Sequence, residues 1–164
     1  MWDISPVQKT VNMEMTVNDK IDILEGEMQY YPPQVCPLKH TFTETQYIRE
    51  IFMPKGSLIT SQIHLTEHPF FVLEGVVSVF SENDGETIIQ APYSGITTPN
   101  TRRVLFVHED CRWATVHHRL PNETVEEIGD RIIEKHDNPL LSDEMKKIYK
   151  SIGQYGLNHK NELL

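Results

Sequence analysis

The sequence has few cysteines, a shortage of basic residues and no long apolar run. Cys36 and Cys111 are too few for a disulfide framework, and we expect both to be free thiols. No stretch of eighteen or more apolar residues occurs, so the sequence predicts no membrane-spanning helix. Lysine and arginine number 15 against 24 acidic residues, and a net charge of −9 disfavours contact with nucleic-acid phosphates. We therefore expect neither nucleic acid nor a membrane as a partner.

Export signals and familiar catalytic motifs are also missing. Residues 1–6 contain neither a basic region nor an apolar stretch, so no secretory signal peptide is predicted. The chain has no Gly-x-Ser-x-Gly elbow, no phosphate-binding loop and no dinucleotide fingerprint. Neither cysteine stands in a recognisable motif with a histidine. The motifs therefore predict no catalytic residue.

Short stretches of β-forming residues, separated by turn residues, dominate the middle of the chain. The predicted strands cover 46–53, 58–64, 70–81, 86–90, 103–108 and 113–117. Asp84-Gly85 predicts a hairpin turn because this pair readily adopts positive φ, and the polar residues 109–111 predict another turn. Many short strands at close spacing are typical of a sandwich or barrel. We expect one mainly β barrel over residues 41–120.

Different patterns flank this barrel. Residues 1–40 show only broken periodicity, and the prolines that follow Tyr31 require extended backbone. We predict an extended N-terminal arm there, with a short helix over Asp19–Ile23. Residues 121–164 are predicted to form a helical tail, because Thr124 and Glu127 make a capping box and Ser142 opens a second helix.

The most informative segment is Ser61–Gly75, which carries His64 and His68. Alternate side chains of an extended segment face the same way, so Gln62 and both histidines can point to one side. His117 lies on the last predicted strand and can line the same interior. Neutral imidazoles that converge are good ligands for a divalent transition metal, although hydrogen-bonded core histidines would give the same pattern.

Further candidates complete this hypothetical site. Gln62, Glu67 and Glu74 are candidate oxygen ligands, and such a set suits iron, manganese or zinc. Arg103 could clamp an acidic ligand, or it could form ion pairs with nearby acids. Trp113 is a candidate stacking surface for a ligand.

The spacing of this segment resembles the first motif of the cupin superfamily. Gly56 matches the opening glycine, Gln62 and His64 match the two histidines, His68 matches the glutamate and Gly75 matches the closing glycine. The resemblance implies a jelly-roll β-barrel. It also implies an altered metal set, because Gln62 and His68 depart from the family residues.

The second cupin motif resembles residues 99–104. Pro99 is retained, whereas Thr101 replaces a glycine and Val104 replaces the metal-binding histidine of the family. These departures favour a binding or assembly role over catalysis. The fold class predicted for the chain is thus a cupin-type jelly-roll barrel with an N-terminal extended arm and two C-terminal helices.

Three functions stay open at this point. The first is a non-enzymatic binding or assembly protein that forms homo-oligomers. The segments 63–68, 99–104 and 113–117 also resemble small cupin-like proteins of tailed bacteriophages, which implies a virion accessory or decoration role with other virion proteins as partners. Without a phage origin we expect a cytoplasmic location.

The second function is a metal-dependent cupin enzyme, of the dioxygenase or sugar isomerase type. The resemblance implies that His64, His68 and His117 would hold its ion. The third is a carbohydrate-binding module, in which aromatics such as Phe70, Tyr93 or Trp113 would stack on sugar rings.

Overall fold

The protein, described by a computed structural model over residues 15–152 and 155–158, consists mainly of antiparallel strands. The strands are β1 Leu38–Phe42, β2 Gln46–Met53, β3 Ser57–Thr60, β4 His68–Ser81, β5 Gly85–Gln90, β6 Tyr93–Thr97, β7 Arg103–His118 and β8 Tyr155–Asn158. The helices are α1 Val17–Met28, α2 Val125–Ile132 and α3 Asp143–Ile152.

The two longest strands organise the sheet. Strand β7 pairs with β2, β3 and β4, and strand β4 pairs with β5, β6 and β7. Strand β1 extends the sheet beyond β2, and β8 extends it beyond β3. Because every pairing is antiparallel and both long strands change partners along their length, the sheet rolls around an interior. The predicted mainly β jelly-roll fold is confirmed.

Most predicted strands occur with small changes in their bounds. Strand β2 covers the predicted residues 46–53. Strand β3 ends at Thr60 instead of residue 64, and beyond it His64 forms only isolated bridges to Thr101 and Ile133. The predicted turn at residues 109–111 is wrong, since β7 runs without interruption from Arg103 to His118.

A bulge in β4 explains the missing turn. The register between β4 and β7 shifts three times between Val72 and Val77, around Gly75, which has φ +98°. Residues 109–111 of β7 lie opposite this irregularity, and a Cβ on Gly75 would stand 2.4 Å from the Asp110 carbonyl oxygen. Glu109 and Asp110 are therefore exposed strand residues, Cys111 is buried, and the segment follows a bulge, a device that bends a sheet locally.

Helix α1 corrects the prediction for the N-terminal region. It spans twelve residues instead of the predicted five, so residues 17–28 are not an extended arm. Thr16 and Asp19 form a capping box at its start, a signal that sequence reasoning overlooked. Ile21 and Met28 are buried against neighbouring elements. The predicted arm residues 1–14 lie outside the described part of the chain.

Both C-terminal helices are confirmed. Thr124 and Glu127 form the predicted capping box of α2, and the Ser142 hydroxyl accepts a hydrogen bond from the Met145 amide at the start of α3. Strand β8, which was not predicted, pairs with β3. Among the described residues, no helix has the length and apolar content needed to cross a membrane.

The barrel interior is divided into an apolar and a polar part. Alternate residues of β4 and β7 form the apolar core, in which Val77 and Val107 have no solvent exposure. Next to this core, the interior carries histidine, arginine and threonine side chains, among them His68, His117 and Arg103. The histidine and arginine residues singled out by the sequence therefore lie in this polar part of the interior.

Candidate functional site

Three histidines from separate parts of the chain come together inside the barrel. His68 begins β4, His117 lies near the end of β7, and His64 lies in the segment that joins β3 to β4. The ring centres of His68 and His117 are 4.4 Å apart, those of His64 and His68 are 5.1 Å apart, and those of His64 and His117 are 6.3 Å apart. The structure therefore joins the three residues named by the sequence.

Backbone hydrogen bonds hold the His64 segment in place. The His64 amide donates to the Thr101 carbonyl oxygen at 2.9 Å, and the Leu65 amide donates to the Ile132 carbonyl oxygen at 2.8 Å. On the other side, the Glu134 amide donates to the Ile63 carbonyl oxygen at 2.9 Å. The end of α2 thus closes over the histidines as a short strand-like contact.

Two of the imidazoles have a ring nitrogen without a partner. Nδ1 of His68 donates to the Thr66 carbonyl oxygen at 2.9 Å, and Nε2 of His117 lies 2.9 Å from the Thr115 hydroxyl. By contrast, Nδ1 of His64 and Nδ1 of His117 are closed off from solvent and form no hydrogen bond with described residues. Buried polar atoms of this kind are rare in native proteins and call for an explanation.

The three rings are neutral near neutral pH. Burial lowers the pKa of His64 and of His117 to about 3, and the other imidazoles and Arg49 add to the effect. Burial also lowers the pKa of His68, which the hydrogen bond to Thr66 partly offsets. A neutral imidazole keeps a lone pair for a metal ion, but it is a poor proton carrier at pH 7 when its pKa is this low.

The second motif would place a metal ligand at Val104, but the inward-facing residue at this point of β7 is Arg103. Alternation along β7 buries Arg103, whereas Val104 lies on the opposite face. The Arg103 guanidinium donates to the Thr97 hydroxyl at 2.9 Å and lies over the Phe70 and Trp113 rings, 5.0 and 5.8 Å from their centres. Phe70 and Trp113 stack on each other with ring centres 4.6 Å apart.

Arg49 is an interior residue that sequence reasoning missed. It alternates along β2 with the buried residues Tyr47 and Ile51, and it pairs across the sheet with Thr115 of β7. Its positive charge contributes to the lowered pKa of His64 and His117, which places it near the cluster. The signal that could have revealed it is its parity with Tyr47, Ile51 and Met53, although Ile48 and Phe52 make the other parity apolar as well.

The candidate oxygen ligands do not join the histidines. The Glu74 carboxylate lies on the outside of the barrel and pairs with Arg112 at 3.1 Å. Glu67 is exposed, and Gln62 is partly buried with no described hydrogen bond. Each Asp or Glu described as buried is ion-paired elsewhere, Asp22 and Glu25 with Arg102, and Glu123 with Arg131.

The types of these residues and their closeness suit a metal ion, but their side chains are not oriented to hold one. Ligand nitrogens about 2.0–2.1 Å from an ion, at angles of about 90–110°, place imidazole centres about 4.5–5.2 Å apart. The 5.1 Å separation of His64 and His68 agrees, the 4.4 Å separation of His68 and His117 is just below this range, and the 6.3 Å separation of His64 and His117 is too long. Accordingly, no three His, Cys, Asp or Glu side chains within 15–152 and 155–158 are arranged to hold an ion as they stand.

Comparison with known proteins returned only remote likenesses. No family model and no curated protein matches the chain. Among solved structures it is similar to an RmlC-like cupin family protein from Methanocaldococcus jannaschii, with 11% identity, a TM-score of 0.44 and coverage of 51% of this chain and 80% of that one.

Two further solved structures are similar at the same level. A cupin-2 domain protein from Shewanella frigidimarina shows 15% identity and a TM-score of 0.44, over 65% of this chain and 95% of that one. An acetylacetone dioxygenase from Acinetobacter johnsonii shows 15% identity and a TM-score of 0.43, over 52% and 62%. Likeness this remote transfers no residue role, substrate or activity to this chain.

Proposed function

We propose that this protein is a non-enzymatic binding protein that takes a divalent transition metal at His64, His68 and His117 and works as a homo-oligomer. The observation that carries the metal site is the pair of solvent-excluded nitrogens, Nδ1 of His64 and Nδ1 of His117, that have no described hydrogen-bond partner. Coordination would satisfy both atoms. Because the third separation is too long, the His64 or His117 side chain would have to change its χ1 angle on metal binding.

The interior favours binding over proton-transfer catalysis. A general acid or base works best with a pKa near the working pH, and His64 and His117 have pKa values of about 3. The buried carboxylates among the described residues are ion-paired away from the cluster. The polar interior therefore offers ligands and positive charge, but no poised proton carrier.

A metal-dependent enzyme is the second candidate. Three histidine ligands leave an open coordination position, which is typical of catalytic rather than structural zinc sites. A bound ion would supply Lewis-acid polarisation of an oxygen ligand at that position. His64, His68 and His117 would hold the ion in this case as well, so metal binding alone does not distinguish the two candidates. Turnover of a bound oxygen-donor ligand would distinguish them.

Metal binding can be tested by calorimetry on untagged, chelator-stripped protein. Zn²⁺ and Mn²⁺ are each expected to bind with a stoichiometry of one and to raise the melting temperature, because an ion that binds only the folded state stabilises it. His64→Ala and His117→Ala are each expected to weaken binding by about tenfold or more.

His108→Ala is the matched control, since His108 contacts Ser78 and Phe106 outside the cluster and its loss should leave binding unchanged. Equal weakening in the control, or no heat and no shift in melting temperature with either metal, would count against the site.

The oligomer is supported by apolar side chains on the outer face of the barrel. We define the outer apolar face as five large residues that are 38–70% exposed: Phe71, Leu73, Phe80, Ile88 and Ile96. All five lie on β4 or on strands β5 and β6, which pair with it, and exposed apolar side chains grouped on neighbouring strands are a feature of protein interfaces. If the chain is phage-encoded, the same oligomer would serve the virion accessory role implied by the sequence resemblance; otherwise it would act in the cytoplasm.

Light scattering coupled to gel filtration tests this assembly. The protein is expected to elute at a multiple of its monomer mass, and Ile88→Glu combined with Ile96→Glu should shift it to the monomer, because burying a carboxylate in an apolar interface is costly. The control combines Val35→Glu with Leu120→Glu, which are exposed apolar positions outside that face. A monomeric wild-type protein would refute the proposal.

A further inference from the structure

The barrel interior contains two arginines that lack a carboxylate partner. Burial lowers the pKa of both Arg49 and Arg103, so each guanidinium is charged in a setting that disfavours its charge. Arg102 and Arg112 offer a contrast within the same chain, since each forms two ion pairs with acidic side chains. Among the described residues the two inward arginines therefore form no ion pair, and the carboxylate that raises the pKa of Arg103, that of Asp84, lies in the exposed turn between β4 and β5.

Arg103 is only 9% exposed, and the described hydrogen bonding of its side chain is limited to Nη1, which donates to Thr97. Its other side-chain donors are not among the solvent-excluded unpartnered atoms of the described residues, so they are not completely closed off from solvent. The guanidinium lies over the stacked rings of Phe70 and Trp113, which hold its plane in a fixed orientation. A fixed guanidinium with free donors is a preorganised half of an anion site.

Arg49 supplies the second half. Within the described ranges it forms no hydrogen bond or ion pair, and its donors are likewise not closed off from solvent. It faces the interior beside Thr115, and Thr115 also pairs across the sheet with Phe70. Arg103 lies over the Phe70 ring, so both arginines border the part of the interior formed by Thr115 and Phe70.

A missing counter-charge inside a protein is energetically unfavourable unless a ligand provides it. A buried charge without a partner is strongly destabilising, and the buried acids described here are engaged with Arg102 and Arg131. The guanidinium fork matches the two oxygens of a carboxylate, which can accept two parallel hydrogen bonds. The Phe70–Trp113 stack beside Arg103 offers an apolar wall for the body of the same ligand.

We propose that Arg49 and Arg103 form a binding site for a small organic carboxylate with an apolar body, held inside the barrel against Phe70 and Trp113. This site names a ligand class for the binding role proposed above. It does not depend on a metal, since neither guanidinium can coordinate a cation. A negative charge between the two arginines would also reduce their repulsion of an ion at the histidines.

Benzoate is a suitable probe, titrated into chelator-treated protein that carries Trp2→Phe, so that Trp113 is the only tryptophan. Benzoate is expected to change the Trp113 fluorescence with a Kd of about 0.1–1 mM and to raise the melting temperature. Benzamide, which has the same shape without the charge, should bind about tenfold or more weaker. Inorganic phosphate should not compete at the same concentration.

Arg49→Met and Arg103→Met are each expected to weaken benzoate binding by about tenfold or more. Both variants should fold, with a melting temperature in the absence of anion that is equal to or above that of the parent, because each removes a buried charge without a partner. Arg112→Met is the control for loss of positive charge outside the barrel, and its benzoate affinity should be unchanged.

Several results would overturn this assignment. One is that saturating benzoate changes neither the Trp113 fluorescence nor the melting temperature. Others are that benzamide binds as tightly as benzoate, or that phosphate binds more tightly than benzoate. Unchanged benzoate affinity in both arginine variants, or a lowered melting temperature of both in the absence of anion, would do so too. Because the titration contains chelator, failure here leaves the calorimetric result on the metal site standing, and the reverse also holds.

Discussion

Replacing Arg102 by methionine is expected to lower the free energy of unfolding by about 3–5 kcal/mol. Its guanidinium donates to Asp22 Oδ1 at 2.8 Å and to Glu25 Oε1 at 2.9 Å, and the three side chains are at most 9% exposed. Removing the cation leaves the buried Glu25 carboxylate without an ion pair and Asp22 with only its contact to His136, which is more costly than the pairs themselves are stabilising. Urea denaturation measures the loss.

The same network explains how distant segments are joined. Glu25 also accepts hydrogen bonds from the Thr60 hydroxyl at 2.6 Å and from the Asn138 amide at 3.1 Å. Helix α1, strand β3 and the segment before α3 therefore meet at one buried carboxylate. Since Arg102 precedes Arg103 in the chain, its anchoring also fixes the backbone from which Arg103 enters the barrel.

The matched control is Arg112→Met. Arg112 also contacts two carboxylates, those of Glu50 and Glu74, but its side chain is 38% exposed. Exposed ion pairs contribute about 0–1 kcal/mol, so this variant should stay within about 1 kcal/mol of the parent. Adding Asp22→Asn and Glu25→Gln to Arg102→Met should recover part of the loss, because neutral groups need no counter-ion. Similar losses in the two arginine variants would contradict this account.

Replacing Gly75 by alanine is expected to lower the free energy of unfolding by about 3–5 kcal/mol, from left-handed backbone strain together with overpacking. Gly75 has φ +98°, and an added Cβ would meet the Asp110 carbonyl oxygen at 2.4 Å and Cys111 Cα at 2.8 Å. Both contacts are with backbone atoms of β7, which cannot move aside without breaking the pairing with β4. Urea denaturation again measures the loss.

Substitutions at two other glycines separate the effect of backbone strain from the effect of overpacking. Gly85 also has a positive φ, +65°, but an added Cβ would meet nothing within 4 Å, so Gly85→Ala should cost about 1–2 kcal/mol through strain alone. Gly129 lies in α2 with open space around its Cα, and Gly129→Ala should stabilise the protein by about 0.5–1 kcal/mol. A Gly75→Ala loss no larger than that of Gly85→Ala would show that the close approach of β7 is unimportant.

Much of the fold could be predicted because strands, turns and caps follow local backbone preferences. Strand β2 has the predicted bounds, and Asp84-Gly85 turns the chain between β4 and β5 as expected. The Thr124 capping box starts α2 at the predicted place. Even the missed start of α1 had its local signal, in Thr16 and Asp19.

The candidate site could be predicted only in part. His64, His68 and His117 were found because their spacing and strand alternation are visible in the sequence. Arg49 was missed because β2 carries β-forming residues at both parities, so a single arginine between Ile48 and Glu50 looks like part of a solvent face. The residues next to an arginine in the sequence do not show whether it has a counter-ion, since Arg102 and its partner Asp22 are eighty positions apart.

The sequence by itself determined where the chain extends, turns and starts its helices, because these properties depend on neighbouring residues. Only the tertiary structure decided that β7 is unbroken opposite the Gly75 bulge and that β8 joins β3. It also decided that Arg102 is neutralised while Arg103 faces the interior without a carboxylate. The physical reason is the same in each case: strand register and charge pairing depend on which distant segments meet.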